Sequence, residues 1–189
     1  MKNISLILLI SFVFFTNCSK DSNNAIDNVN QSGSITKFTI INNYLYTINN
    51  YQLVVFDIQN KNKPTKINAI GIPNNVETIF AYNNNLYLGS TTGIFIVDIQ
   101  NPTIPFIIGS ATHTLGCDPV IVKDTIAYST IRNGRTCNNG IPSTFNQLII
   151  YNVKNSNNPI QINQINMIEP QGLSIDGNNL FVCDGRNGL

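Results

Sequence analysis

The chain has 189 residues, a formal net charge of +1 and only 11% charged residues. That charge content lies well below the ~25% usual for a soluble domain, and Asn, Ser and Thr supply the polar surface instead. Such a chain has no basic field to hold nucleic acid and about one domain's worth of sequence.

The chain opens with Met1-Lys2, an apolar run from Ile4 to Phe15, and then Thr16-Asn17-Cys18. A short positive start, an apolar stretch and a Cys just after it describe a secretory lipoprotein signal. Residues 1–17 therefore read as a signal peptide, and Cys18 as the lipid-modified first residue of the mature chain. The apolar run is too short to span a bilayer comfortably. The alternatives are an ordinary signal peptide with an incidental Cys, or a membrane anchor. Residues 18–34 are polar and read as a flexible tether. This start implies a cell-envelope protein held to the membrane by its lipid, either periplasmic or surface-exposed at the outer membrane.

From residue 35 onward one phrase recurs. Phe56-Asp57-Ile58-Gln59-Asn60 leads to Pro64, Val97-Asp98-Ile99-Gln100-Asn101 to Pro105, and Tyr151-Asn152-Val153-Lys154-Asn155 to Pro159. The step from Asp or Asn to Pro is constant: 64 − 57 = 105 − 98 = 159 − 152 = 7. A fixed period of this size is the signature of a repeat architecture. An apolar anchor precedes the Asp by twelve residues in the first two units, Leu45 before Asp57 and Leu86 before Asp98. In the third, Ile126 stands at the anchor and an insertion of 14 residues separates it from Asn152, since 152 − 126 − 12 = 14.

Each unit reads as four short strands. In the second they fall at about 76–82, 86–90, 93–99 and 105–111, separated by Asn83-Asn84-Asn85, Thr91-Thr92 and Asn101-Pro102. Ile94, Phe95, Ile96 and Val97 make both faces of the third strand apolar, as in sheets stacked on both sides. Pro at the start of the last strand suits an outer edge, where no ladder donor is needed. Four strands per unit of about forty residues is the arithmetic of a β-propeller blade. The expected fold is all-β: four-stranded antiparallel blades at about 35–71, 72–112 and 113–166, with a partial blade at 167–189. About 3.5 repeats fall short of the ~4–8 blades that usually close a ring, so this chain alone is expected to be marginally stable or self-associating.

The strings Leu53-Val54-Val55-Phe56-Asp57 and Ile94-Phe95-Ile96-Val97-Asp98 resemble the LVIVD repeat of bacterial and archaeal cell-surface propellers. Asp118-Pro119-Val120, Gly172-Leu173-Ser174-Ile175-Asp176-Gly177 and Cys183-Asp184-Gly185 are similar to the same family. The resemblance implies the propeller fold and an envelope setting. It carries over no catalytic residue.

Blade topology sorts the candidate sites. Strands alternate in direction, so the loop leading into the first strand and the loop between the second and third share one face. Cys117 lies in the incoming loop of the third blade and Cys137 in its inserted loop. A disulfide between them is the natural outcome in an oxidising compartment, with two free thiols as the alternative. Cys183 reads as a buried small hydrophobe. His113, the sole histidine, lies near Asp118, and a lone surface His is the plainer reading. Nine residues before each anchor stand Thr36, Glu77, Cys117 and Gln171, which would ring one mouth of a central channel. Solvated rim residues are the plainer reading of this ring also.

The expected binding face therefore carries Glu77, His113, Asp118, Arg132, Arg135, Phe145 and Gln171, with Ile141 in the insertion. No metal site, cofactor or catalytic set is expected. The spacings of zinc and serine-hydrolase motifs do not occur. Asp57 and Asp98 read as structural, closing the turns that follow them. The reading is a lipid-anchored binding scaffold whose partner is an unidentified envelope protein or glycan. The alternatives are a propeller enzyme acting on a glycan or small envelope substrate, using Glu77, Asp118 or Glu169, and a non-functional truncated remnant.

Overall fold

In a computed structural model, residues 31–33, 36–49, 51–73, 75–113, 116, 119–132 and 145–189 are described. They form three four-stranded antiparallel sheets and one three-stranded sheet. The first blade is β2 (Phe38–Ile41), β3 (Tyr44–Ile48), β4 (Gln52–Asp57) and β5 (Thr65–Gly71). The second is β6 (Val76–Tyr82), β7 (Asn85–Ser90), β8 (Gly93–Asp98) and β9 (Phe106–Thr112). The third is β10 (Val120–Lys123), β11 (Ile126–Ile131), β12 (Gln147–Asn152) and β13 (Ile160–Asn166). The last sheet holds β14 (Leu173–Asp176) and β15 (Asn179–Val182). A single 3₁₀ turn at Gly185–Asn187 is the only helical element among the described residues.

The fold is all-β and blade-like, as the repeat spacing predicts. The four strands expected of the second unit match β6 to β9 within one or two residues at each end. Strand order in each full blade follows chain order, so β5, β9 and β13 are the outer strands and each follows a Pro. Ile94, Ile96 and Val97 are all fully buried, which is the two-sided burial expected of β8.

The core is divided among the gaps between blades. Tyr46, Leu53 and Val55 of the first blade pack with Ile79, Leu86 and Leu88 of the second. Ile94 and Ile96 of the second pack with Val120 and Val122 of the third. Leu148 of the third packs with Leu173 and Ile175 of the last sheet. Each blade therefore buries apolar surface only by stacking, the physical basis of a repeat fold.

The structure corrects two points of the sequence reading. Residues 31–33 fall in the expected tether, yet Gln31–Gly33 forms β1, which pairs antiparallel with β14. Gln-Ser-Gly carries no hydrophobic alternation, so this strand leaves no periodic signal in the sequence. The anchor of the third blade is also off by one. Leu45 faces Phe56 and Leu86 faces Val97, one residue before the Asp. The matching pair is Ala127 with Tyr151, not Ile126, which faces Asn152. The insertion is therefore 13 residues, since 152 − 127 − 12 = 13. Ile126 is the larger apolar residue, but a one-residue slip points a strand side chain to the other face.

Every full blade carries a bulge at the same place. Pairing shifts between Val55 and Phe56, between Ile96 and Val97, and between Ile150 and Tyr151. Ile67, Ile108 and Ile162 of the outer strands are the residues left out of the ladder. Such bulges bend and twist an outer strand.

Candidate functional site

The two faces of the stack differ in kind. One carries the repeated Asp and Asn turns, and these spend their polar groups on themselves. Asp57 Oδ1 accepts Gln59 N–H at 2.7 Å, Asp98 Oδ1 accepts Gln100 N–H at 2.7 Å, and Asn152 Oδ1 accepts Lys154 N–H at 2.9 Å. Asn60, Asn101 and Asn155 then accept from the amides of Asn62, Thr103 and Asn157 at 3.1, 3.1 and 3.2 Å. Two side-chain-closed turns in succession explain the fixed seven-residue step to Pro. The structural reading of Asp57 and Asp98 fits these bonds. Shallow recesses of about 270 Å³ and 380 Å³ lie on this face, at Asp57–Thr65 and Asn152–Ile160.

The same face also latches blades together. Asn68 Nδ2 donates to Thr103 O at 2.6 Å, and Asn85 Nδ2 donates to Ser156 Oγ at 3.2 Å. Tyr82 OH accepts Asp124 N–H at 2.8 Å. Lys123 Nζ donates to Gly177 O, and to Asn178 Oδ1 at 3.2 Å.

The opposite face joins each incoming loop to the turn between second and third strands, as blade topology requires. Ile72 N–H donates to Tyr51 O at 2.9 Å, and Thr91 N–H to Asn75 O at 3.2 Å. His113 N–H donates to Thr92 O at 3.1 Å, and Gly116 N–H to Thr91 O at 3.0 Å. Met167 N–H donates to Asn146 O at 2.9 Å, tying the end of the inserted loop to the link into β14.

Several expected site residues meet on this face. Arg132 Nη1 lies 3.8 Å from Glu169 Oε1 and is the better covered partner, at 20% side-chain exposure against 47%. An ion pair so placed contributes little to stability, ~0–1 kcal/mol, and leaves the carboxylate open to solvent. Gln171 is exposed, and its backbone carbonyl accepts Thr130 Oγ1 at 2.6 Å. Phe145 is exposed. Glu77 is half-buried, and it is the residue skipped where the pairing of β6 shifts between Val76 and Thr78. Bulges often re-aim a side chain beside a binding site. Thr36 crosses to the next blade, with its Oγ1 3.3 Å from Ile79 O.

Cys18, Cys117, Asp118, Arg135, Cys137 and Ile141 lie outside the described residues. The proposed disulfide therefore has no described geometry. With the anchor moved to Ala127, the position nine residues earlier is Asp118 rather than Cys117. Cys183 departs from its expected burial. It follows β15 and is an exposed free cysteine.

The sequence reading missed the importance of Asp184. Its Oδ1 accepts Glu169 N–H at 2.7 Å and Ile168 N–H at 3.0 Å, which sets the loop that holds Glu169 beside Arg132. Gly185 follows at φ 57°. A Cβ there would stand 2.7 Å from Glu169 Cβ, so only Gly allows this approach. An Asp-Gly pair after a strand was the available signal.

Comparison with known families agrees with this arrangement. Residues 32–69 and 74–113 match the family model of the LVIVD repeat. The chain carries LVIVD repeats. The matched segments take in β2 to β4 with most of β5, and β6 to β9, the first two blades of the stack. The third blade continues the repeat in the same pairing register and with the same bulge. No curated protein matches this LVIVD-repeat chain.

Proposed function

We propose that the protein is a lipid-anchored envelope scaffold that binds a partner through the face carrying Arg132, Phe145, Glu169 and Gln171. The observation that supports this is the asymmetry between the faces. On one, the Asp or Asn side chain that opens each repeated turn is bonded to an amide of the turn itself. On the other, the repeat breaks its own length, and a half-covered cation, a carboxylate and an exposed Phe gather at the break. Variable loops on a rigid frame are where binding residues collect. The partner is an envelope protein or a glycan, since Arg and an exposed aromatic suit either.

The anchor follows from Met1-Lys2, the apolar run and Cys18. Labelling cells with a fatty-acid probe tests it: label on the wild type and none on Cys18→Ala is the expected result. The binding face is tested by capture from envelope extracts. Arg132→Ala with Phe145→Ala is expected to lose the captured partner. Lys63→Ala with Lys154→Ala, on the opposite face, is expected to keep it. Equal capture by both pairs refutes the assignment.

A further inference from the structure

The outer edge of the stack has a charge pattern of its own. It consists of the turns after β4, β8 and β12 and the outer strands β5, β9 and β13, residues 58–71, 99–112 and 153–166. Lys61, Lys63, Lys66 and Lys154 are the charged residues of these segments, and all four are exposed. The 10 Asp and Glu of the chain all lie elsewhere. Asp57 and Asp98, which adjoin the turns, are half-buried and bonded to the amides of Gln59 and Gln100.

Large apolar residues stand out on this acid-free edge. Ile104 is 62% exposed and Phe106 55%, with Ile107 exposed beside them. Counted from the Pro of each turn, Ile104 takes the place of Lys63 in the first blade and Asn158 in the third. Phe106 takes the place of Thr65. The second blade packs between two complete four-stranded blades, so its rim is open by design of the outer edge itself. The rim is also held firmly. Thr103 N–H and Oγ1 donate to Asn101 Oδ1 at 3.1 and 2.8 Å, and Thr103 O accepts Asn68 Nδ2 from the first blade. Edge protection accounts for Lys66 and the bulges. It does not account for Ile104 and Phe106 at the turn. Three apolar residues within four positions, flanked by cations and free of acids, have the chemistry of a bilayer contact: apolar tips enter the headgroup boundary, and Lys ammonium groups meet anionic headgroups.

We propose that this edge of the second blade docks on an anionic phospholipid surface, with Ile104 and Phe106 at the headgroup boundary and Lys61, Lys63 and Lys154 over the phosphates. The proposal rests on the envelope setting read from Cys18 and adds an orientation that an anchor alone does not give. The repeated-turn side meets the membrane, and the face with Arg132 and Glu169 turns away from it toward a partner. Tips held in place before docking cost little ordering entropy.

The chain has no Trp, so a single introduced one reports its own surroundings. Phe106→Trp and, on the opposite face, Tyr51→Trp are made in the full chain, so that both carry the same N-terminal segment. Both positions are exposed, and circular dichroism confirms that each variant retains its strands. Each is bound to vesicles of phosphatidylcholine and phosphatidylglycerol, with and without bromine on the acyl chains. Phe106→Trp is expected to shift its emission to the blue and to lose most of it to the bromines, whereas Tyr51→Trp is expected to keep its emission. Adding Lys61→Gln, Lys63→Gln and Lys154→Gln to Phe106→Trp removes about fivefold in surface partition per charge and is expected to abolish most of the quenching, as is phosphatidylcholine alone. Absence of quenching at Phe106→Trp, or equal quenching at both positions, overturns the proposal. Quenching that survives both the loss of the Lys charges and the loss of phosphatidylglycerol overturns the anionic surface. The fatty-acid label on Cys18 is read separately: an unlabelled chain whose Phe106→Trp is still quenched refutes the anchor and leaves the docking edge standing.

Discussion

Gly109 decides how closely the third blade approaches the second. It faces Ile96 across the ladder and directly follows the bulged Ile108. A Cβ built there would collide with the carbonyl oxygen of Ser156 and stand 3.1 Å from both Asn157 C and Pro159 Cδ. The obstacle is mainly backbone in a turn fixed by its own Asn bonds, so no side chain swings aside. Gly109→Ala must therefore move the turn outward by about 1 Å, which loosens the contact of Ile94 and Ile96 with Val120 and Val122. Overpacking of this kind costs ~1–3 kcal/mol, or roughly 5- to 150-fold in the folding equilibrium. Gly71→Ala is the matched control, because nothing lies within 4 Å of a Cβ there. The assay is urea unfolding followed by circular dichroism and tyrosine fluorescence, since the chain has no Trp. Gly71→Ala is expected to shift stability by under about 0.5 kcal/mol. Gly109→Ala is expected to lower the midpoint, or to split the transition as neighbouring blades uncouple. A Gly109→Ala protein as stable as Gly71→Ala refutes the reasoning.

Other residues give sharper local tests. Asp98→Ala removes the acceptor for Gln100 N–H and is expected to cost about 1 kcal/mol, whereas Asp98→Asn is expected to stay close to wild type because Asn152 already serves the third blade; urea midpoints distinguish them. Burial in the first core, with the neighbouring Tyr44 adding to it, pushes the Tyr46 hydroxyl up to about 12, and burial raises Tyr87 as well. The folded state thus holds protons that the unfolded state releases above ~10, so stability is full below that pH and falls between pH 10 and 12. Tyr46→Phe is expected to flatten that fall in urea melts taken across the range. Gly185→Ala is expected to displace Glu169 from Arg132, read as a chemical-shift change at the Arg132 guanidinium with little change in global stability.

The blade plan was legible because one turn serves three times. The Asp carboxylate or Asn side-chain amide oxygen and the following Asn fix both ends of a loop, so their spacing survives in sequence. Strand runs such as Ile94 to Val97 announced their two-sided burial through composition. The bulges were not legible. Ile67, Ile108 and Ile162 look like ordinary strand residues, and only pairing reveals that the ladder skips them. β1 was hidden because its three residues carry no apolar pattern. The site was readable in part. Arg132 stood out as the cation where the repeat breaks, but its meeting with Glu169 depends on a loop from another blade, set by Asp184. Contacts of that range arise from stacking and leave no spacing to read. The burial of Cys183 was misjudged because β15 ends at Val182, which leaves Cys183 in the exposed link to the 3₁₀ turn.

The central claim is that each blade buries its apolar residues against its neighbours rather than in one shared core. Methyl-to-methyl and methyl-to-aromatic nuclear Overhauser contacts measure this directly. The account predicts three separate groups: Ile79 with Leu53 and Val55, Val120 and Val122 with Ile94 and Ile96, and Leu173 and Ile175 with Leu148. Contacts that link Ile79 to Leu173, or that pair Ile94 with Leu53 in a common core, would contradict it.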